Sequence, residues 1–210
     1  MGTINNRGNR KKGVVIVLSP HPDDLELSTT ILCNKLKKNY RILEIIFTDG
    51  AAGGKNKKDF QSQDHIKRRS AEAKRAAKII GIEKIFFLNF PDGKLTEFIE
   101  KAKTEAFSIL LKNNPTLICF PSSKDKHPDH QATNKIANDY LEKEPQTKDM
   151  QYCFWGNDKR ENKIIKLNKP SKTKIKAVSA HESQPINKYI ENNPNIFIEE
   201  SFYSKNNFEF

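Results

Sequence analysis

The chain has 210 residues, 36% apolar and 30% charged. That is enough for one packed α/β or α+β core without disulfides or a structural metal, and too short for two independent enzymatic units. A formal charge of +11 raises nucleic acid or another anionic partner. Three widely spaced cysteines, Cys33, Cys119 and Cys153, exclude a disulfide framework and fit reduced thiols in the cytoplasm.

Met1 to Lys12 reads as a flexible basic leader and residues 13–210 as a single domain. Val14 to Leu18 is an apolar, mostly β-branched run that stops at Ser-Pro-His-Pro, the pattern of a strand buried on both faces. It is too short for a signal-peptide core or a membrane span. Glu26 to Lys38 reads as a helix and Ile42 to Phe47 as the second strand, running into the Gly-rich loop of residues 48–54. Asp64 to Ile80 is a long helix closed by Gly81 at its C′ position. Ile85 to Leu88, the helical spacing of Leu95 to Lys112, and Thr116 to Phe120 continue the alternation. The chain is therefore expected to fold as a Rossmann-like α/β domain, with a mostly parallel sheet and helices on both faces. Beyond residue 140 the pattern loosens, with strands suggested at Gln151 to Trp155, Ile164 to Leu167 and Ile196 to Ile198, and a helix at Lys174 to Glu182.

Two polar clusters fall at strand ends. The first strand leads into His21-Pro22-Asp23-Asp24-Leu25-Glu26, and the fourth into His127-Pro128-Asp129-His130. In open α/β sheets ligands bind outside the carboxyl edge where strand order reverses, so the ends of strands 1 and 4 define the expected active site. Imidazole with carboxylate suits Zn²⁺, and two His plus one carboxylate also suit Fe²⁺. His21, Asp24 and His130 are the expected metal ligands, with Pro22 and Pro128 fixing the backbone just after His21 and His127. Asp23 is left as general base. His127 is placed near the developing oxyanion, with Asp129 hydrogen-bonded behind it. One such cluster alone reads as an ordinary helix cap; two at neighbouring strand ends read as a site.

These residues resemble the PIG-L/LmbE-like family of zinc-dependent N-acetylglucosamine deacetylases. The resemblance extends to Thr48-Asp49-Gly50, Arg69-Ser70-Ala71-Glu72, Pro91-Asp92-Gly93 and His181-Glu182-Ser183-Gln184, in the family's order. It implies a zinc N-deacetylase acting on an N-acetylated amino sugar or glycoconjugate, with the ligands and catalytic groups named above and with Arg69 and Asp92 contacting the sugar. Ser28-Thr29-Thr30 stands where family members often carry a Gly-rich run. The surplus of lysine is compatible with an anionic substrate and the chain with a homo-oligomer. Two rival readings are a basic nucleic-acid-binding domain, against which the lysines are too evenly spread, and a single-metal hydrolase of another bond such as a phosphoester, for which more carboxylates are expected.

Overall fold

A computed structural model describes residues 13–206 and 208; the expected basic leader lies outside them. In chain order the elements are β1 (Gly13–Ser19), α1 (Asp24–Ser28), α2 (Thr30–Leu36), β2 (Tyr40–Thr48), α3 (Gln63–Ile80), β3 (Lys84–Phe90), α4 (Ile99–Asn113), β4 (Leu117–Pro121), α5 (Pro128–Lys143), β5 (Lys148–Tyr152), β6 (Lys163–Lys166), α6 (Lys172–Ser179), α7 (Ile186–Asn192) and β7 (Glu199–Phe202). The first five strands form one parallel sheet in the order β3-β2-β1-β4-β5. Strand order reverses between β1 and β4, which puts a crevice beyond their carboxyl ends.

Strand periodicity divides the β1 side chains between two cores. Val15 and Val17 pack with Leu32, Leu36, Ala76, Ile80 and Ala177, so α1, α2, α3 and α6 cover one face. Ile16 and Leu18 pack with Ala106, Leu110, Ile136 and Tyr140, so α4 and α5 cover the other. The helix α3 ends as its sequence dictates, at Gly81 with φ 93°. Among the described residues no helix is long and apolar enough to cross a membrane.

Several boundaries differ from the sequence expectation, each for a local reason. The helix expected over residues 26–38 is broken at Thr29, whose φ is −135°. Thr29 Oγ1 donates back to the Leu25 carbonyl and Thr30 Oγ1 to that of Glu26, each at 3.1 Å, a side-chain competition that bends and ends helices. The restarted helix gives its free Ile31 and Leu32 amides to the Glu200 carboxylate, at 2.8 and 2.9 Å. The strand expected over 151–155 ends at Tyr152 because the Phe154 and Trp155 amides are taken by the Asp125 carboxylate. The strand expected over 196–198 forms three residues later as β7, antiparallel to β6. The helix α7 carries no clear sequence signal.

Glu200 ties the last strand to the sheet face. Besides the two amides it meets Lys174 Nζ at 2.7 Å, and both side chains are fully enclosed. Removing one member of a buried pair strands the other charge, at about 3–5 kcal/mol. Lys174→Met is therefore expected to lower the unfolding free energy from urea titration by that order, and its midpoint accordingly, and the double variant Lys174→Met/Glu200→Gln to recover most of it. Equal midpoints for wild type and Lys174→Met would remove the pair from the stability account.

Candidate active site

The β1–α1 turn is held from below. Thr48 donates to the Pro20 carbonyl through its amide at 2.9 Å and its hydroxyl at 2.8 Å. The His21 amide donates to Asp24 Oδ2 at 2.7 Å, closing the turn. Both imidazoles flank the same carboxylate: His21 Nδ1 lies 3.1 Å from Asp24 Oδ2, and His130 Nε2 lies 3.3 Å from Asp24 Oδ1. The first and fourth strand ends thus meet at Asp24, as the two clusters led one to expect. His127 joins them, with ligand atoms of His21, His127 and His130 all within 4.8 Å of one another.

This donor set fits a divalent metal on three counts. Zinc bonds of about 2.0–2.1 Å in a tetrahedron set neighbouring ligand atoms about 3.3 Å apart, the scale of the two imidazole contacts, which reach the two different oxygens of Asp24. His130 Nε2 is buried without a hydrogen-bond partner, while its Nδ1 donates to Asp125 Oδ2 at 3.0 Å. The unpartnered nitrogen is therefore the basic one, facing Asp24. Finally, the cluster demands positive charge. Burial pulls the His130 pKa down, but Asp24 and Asp125 overcome it and raise it to about 9. His21 is raised too, against its burial, by Asp129, Asp24 and Asp92.

Asp125 is the residue that sequence reasoning missed. It is buried, and besides His130 it accepts from the Phe154 and Trp155 amides at 3.0 and 3.1 Å and from the His127 amide at 3.1 Å. A carboxylate on the far nitrogen of a metal-facing His fixes its tautomer and orientation. Only its place five residues before His130, in a polar loop after a strand, could have pointed to it.

The expected pairing of Asp129 with the His127 ring is not formed. It is the Asp129 backbone amide that donates to His127 Nδ1, at 3.3 Å. The carboxylate turns to the 91–95 turn, accepting from the Gly93 amide at 2.7 Å and the Leu95 amide at 3.0 Å, and meets His21 Nε2 at 3.2 Å. Residues two apart at a helix start project to opposite sides, which forbids the side-chain pairing. The amide contact still fixes the tautomer. With Nδ1 accepting, Nε2 carries the proton, and burial, with His21 and His130 close by, lowers the His127 pKa.

Asp23, His127, Asp92 and Arg69 line one cavity of about 180 Å³. Arg69 is 2% exposed and donates from Nη2 to Asp23 Oδ1 at 2.9 Å and from Nη1 to the Gly50 carbonyl at 3.2 Å. It reaches the cavity while anchoring Asp23. Asp92 accepts from the Ala52 amide at 2.9 Å and meets His21 Nε2 at 3.2 Å. Those contacts overcome its burial and hold its pKa down at about 2. The late motif closes the cavity from α3. Ser183 bonds Glu72 through its amide at 2.9 Å and hydroxyl at 2.6 Å, and Gln184 lines the cavity. His181 is fully buried with Nε2 3.4 Å from Glu26 Oε2, a packing position behind the turn.

The segment that follows β5 forms the outer wall and is pinned to the β4 loop. Ser122 Oγ donates to Asp158 Oδ2, and Arg160 reaches Asp158 through Nε at 2.8 Å and Nη2 at 2.7 Å. Arg160 above all holds the Asp158 pKa down at about 2. A depressed carboxylate stabilises wherever the unfolded group, near 4, would be ionised, and that stability is lost as pH falls towards 2. Asp158→Asn is expected to be less stable at pH 7 by about 1–3 kcal/mol. In denaturant titrations the gap to wild type should close as pH falls from about 4 towards 2; a gap unchanged by acid would show that the charge is not its source.

Comparisons with known proteins place this fold in a family. The model of the PIG-L family, described as GlcNAc-PI de-N-acetylase, matches residues 16–141, and the chain belongs to that family. A curated relative, the diacetylchitobiose deacetylase of Thermococcus kodakarensis, is 28% identical over 120 residues. That match covers 55% of this chain and 44% of the relative, so less than half of the relative's length is represented. Among solved structures, the N,N'-diacetylchitobiose deacetylase of Pyrococcus horikoshii superposes with a TM-score of 0.76 at 21% identity, over 92% of this chain and 84% of that one. GalB, the 4-carboxy-2-hydroxymuconate hydratase of Pseudomonas putida, superposes with a TM-score of 0.70 at 15% identity, over 94% and 98% of the two chains. At such identities the structures show a common fold. A fold shared by a deacetylase and a hydratase leaves the reaction to be argued from the site.

Proposed function

We propose that the chain hydrolyses the acetamide of an N-acetylglucosamine-type sugar derivative, releasing acetate and the free amino sugar. The observation that carries this reading is that Asp24, with His21 and His130 on its two oxygens, lines one cavity together with His21 and a second carboxylate, Asp23. His21, Asp24 and His130 would hold the metal, with zinc favoured by the imidazole and carboxylate donors and Fe²⁺ compatible with them. When bound, the ion supplies a Lewis acid that polarises the acetyl carbonyl and makes water a better acid.

The remaining steps belong to the chain. Asp23, steadied through one oxygen by Arg69, takes a proton from water as that oxygen bonds to the carbonyl carbon. The carbonyl π pair moves to oxygen, and the neutral His127 offers its Nε2–H to the charge that develops there. The proton on Asp23 is then passed to the amide nitrogen, the C–N bond breaks and the amine leaves. Asp92 and Arg69, at the cavity wall, are assigned to the sugar, and Asp129 to holding the 91–95 turn and His21. Three free thiols, two of them buried, support a place in the reducing cytoplasm.

Acetate release across a panel of N-acetylglucosamine derivatives tests the reading. Stoichiometric acetate and primary amine from at least one member support it. Phosphate release from a phosphoester without acetate from any amide would replace it.

A further inference from the structure

The inner cavity is lined by Asp23, Asp24 and Asp92, yet it opens beside a space of opposite character. A second cavity of about 580 Å³ shares Trp155 and Tyr189 with it as wall and carries Lys124 and Lys126, with no acidic residue in its lining. Both lysines are exposed, and neither ammonium is paired with a carboxylate among the described residues. Trp155 is 40% exposed. It meets Phe154 edge-to-face at 5.0 Å and Tyr189 at 6.0 Å, and those two meet at 5.8 Å, a trio that braces the indole.

This wall is built into the metal loop. The Lys126 amide donates to the Trp155 carbonyl at 3.2 Å, and Asp125, between the two lysines, binds both the Trp155 amide and His130. At Gly156 any Cβ would collide with the Lys124 carbonyl, so the close approach of the two loops requires glycine. The backbone that carries the lysine pair and the indole is therefore tied to His130 through Asp125 and the Lys126–Trp155 contact.

We propose that this outer cavity is the subsite for an anionic substituent on the amino sugar. A phosphate or carboxylate would face Lys124 and Lys126 while the adjoining ring or chain lies against Trp155. The proposal rests on the deacetylase reading and names its substrate class. Lysine acts as a point charge towards oxyanions, and an exposed aromatic face beside a polar cleft suits a ring with an apolar side. Carboxylates in the inner cavity and cations in the outer one give the substrate a single orientation.

Trp155 is the chain's one tryptophan and lines both cavities, so its fluorescence reports binding at either. The experiment titrates the full chain with N-acetylglucosamine 1-phosphate, the neutral methyl glycoside and inorganic phosphate, at low and high salt, and measures acetate release in parallel. The 1-phosphate is expected to bind about tenfold more tightly than the methyl glycoside at low salt, with the gap closing at high salt. Lys124→Ser/Lys126→Ser should abolish the preference and leave the KM of the methyl glycoside within about twofold. Equal affinity for the two glycosides, or a preference that survives the double substitution, overturns the proposal. So does tight, salt-sensitive binding of a single-stranded oligonucleotide with no preference between glycosides. A lysine-dependent preference for the 1-phosphate with no acetate from any glycoside would uphold the subsite and remove the deacetylase reading instead.

Discussion

Asp23→Asn is expected to lower the acetate-release rate by at least about 10²–10⁴-fold, the contribution of a positioned general base, while the bound metal stays at the wild-type level. Asparagine keeps the shape and can still accept from Arg69, but it cannot take a proton from water. The substitution also leaves the Arg69 guanidinium, 2% exposed, without its charged partner, and a stranded buried charge destabilises. A denaturation midpoint and a metal assay on the same preparation therefore accompany the rate. A folded, metal-loaded variant with wild-type turnover would show that Asp23 is not the base.

The second large effect concerns metal retention and is graded. His130→Ala removes a proposed ligand and should leave little metal bound after dialysis. Asp125→Asn leaves all three ligands and removes only the charge behind His130 Nδ1. Removing the hydrogen-bonding charge behind a ligating imidazole lowers metal affinity by about 10–100-fold. Competition with a chelator reads this directly and needs no substrate. The expected ranking of affinities is wild type, then Asp125→Asn, then His130→Ala. An affinity unchanged in Asp125→Asn would make Asp125 a loop-anchoring residue only, and unchanged metal content in His130→Ala would refute the ligand set.

What the sequence reveals of this site follows from how local each feature is. That His21, Asp24 and His130 meet was legible because each lies within a few residues of a strand end, and alternation of strands and helices places those ends on one edge. Asp125 was not, because its role depends on a loop about thirty residues later folding back to present the Phe154 and Trp155 amides. Asp129 was legible as a site residue but not in its partner. Adjacency to His127 suggests one pairing, whereas the helix start turns the carboxylate towards the Gly93 and Leu95 amides.

The same division holds for the fold. The buried parallel strands announce themselves as apolar runs, and β1, β2 and β4 fall within a few residues of expectation. Past β5 the chain is organised by tertiary partners. Glu200 ends one helix break and anchors β7, and Asp125 stops β5, and neither effect has a periodic signature. The +11 charge suggested nucleic acid on composition alone. In the structure two of its lysines, Lys124 and Lys126, line a cavity without acidic residues that adjoins the carboxylate-lined one.

On the proposed mechanism, one divalent ion held at the β1/β4 switch point serves amide hydrolysis. The most direct test of that mechanism is acetate release by protein stripped of metal and titrated back with zinc, using a derivative the wild-type chain accepts. Activity should vanish on stripping and return linearly, reaching a plateau at one equivalent of zinc, with one amine formed per acetate. Turnover that survives stripping, or a plateau that demands two equivalents, would contradict it.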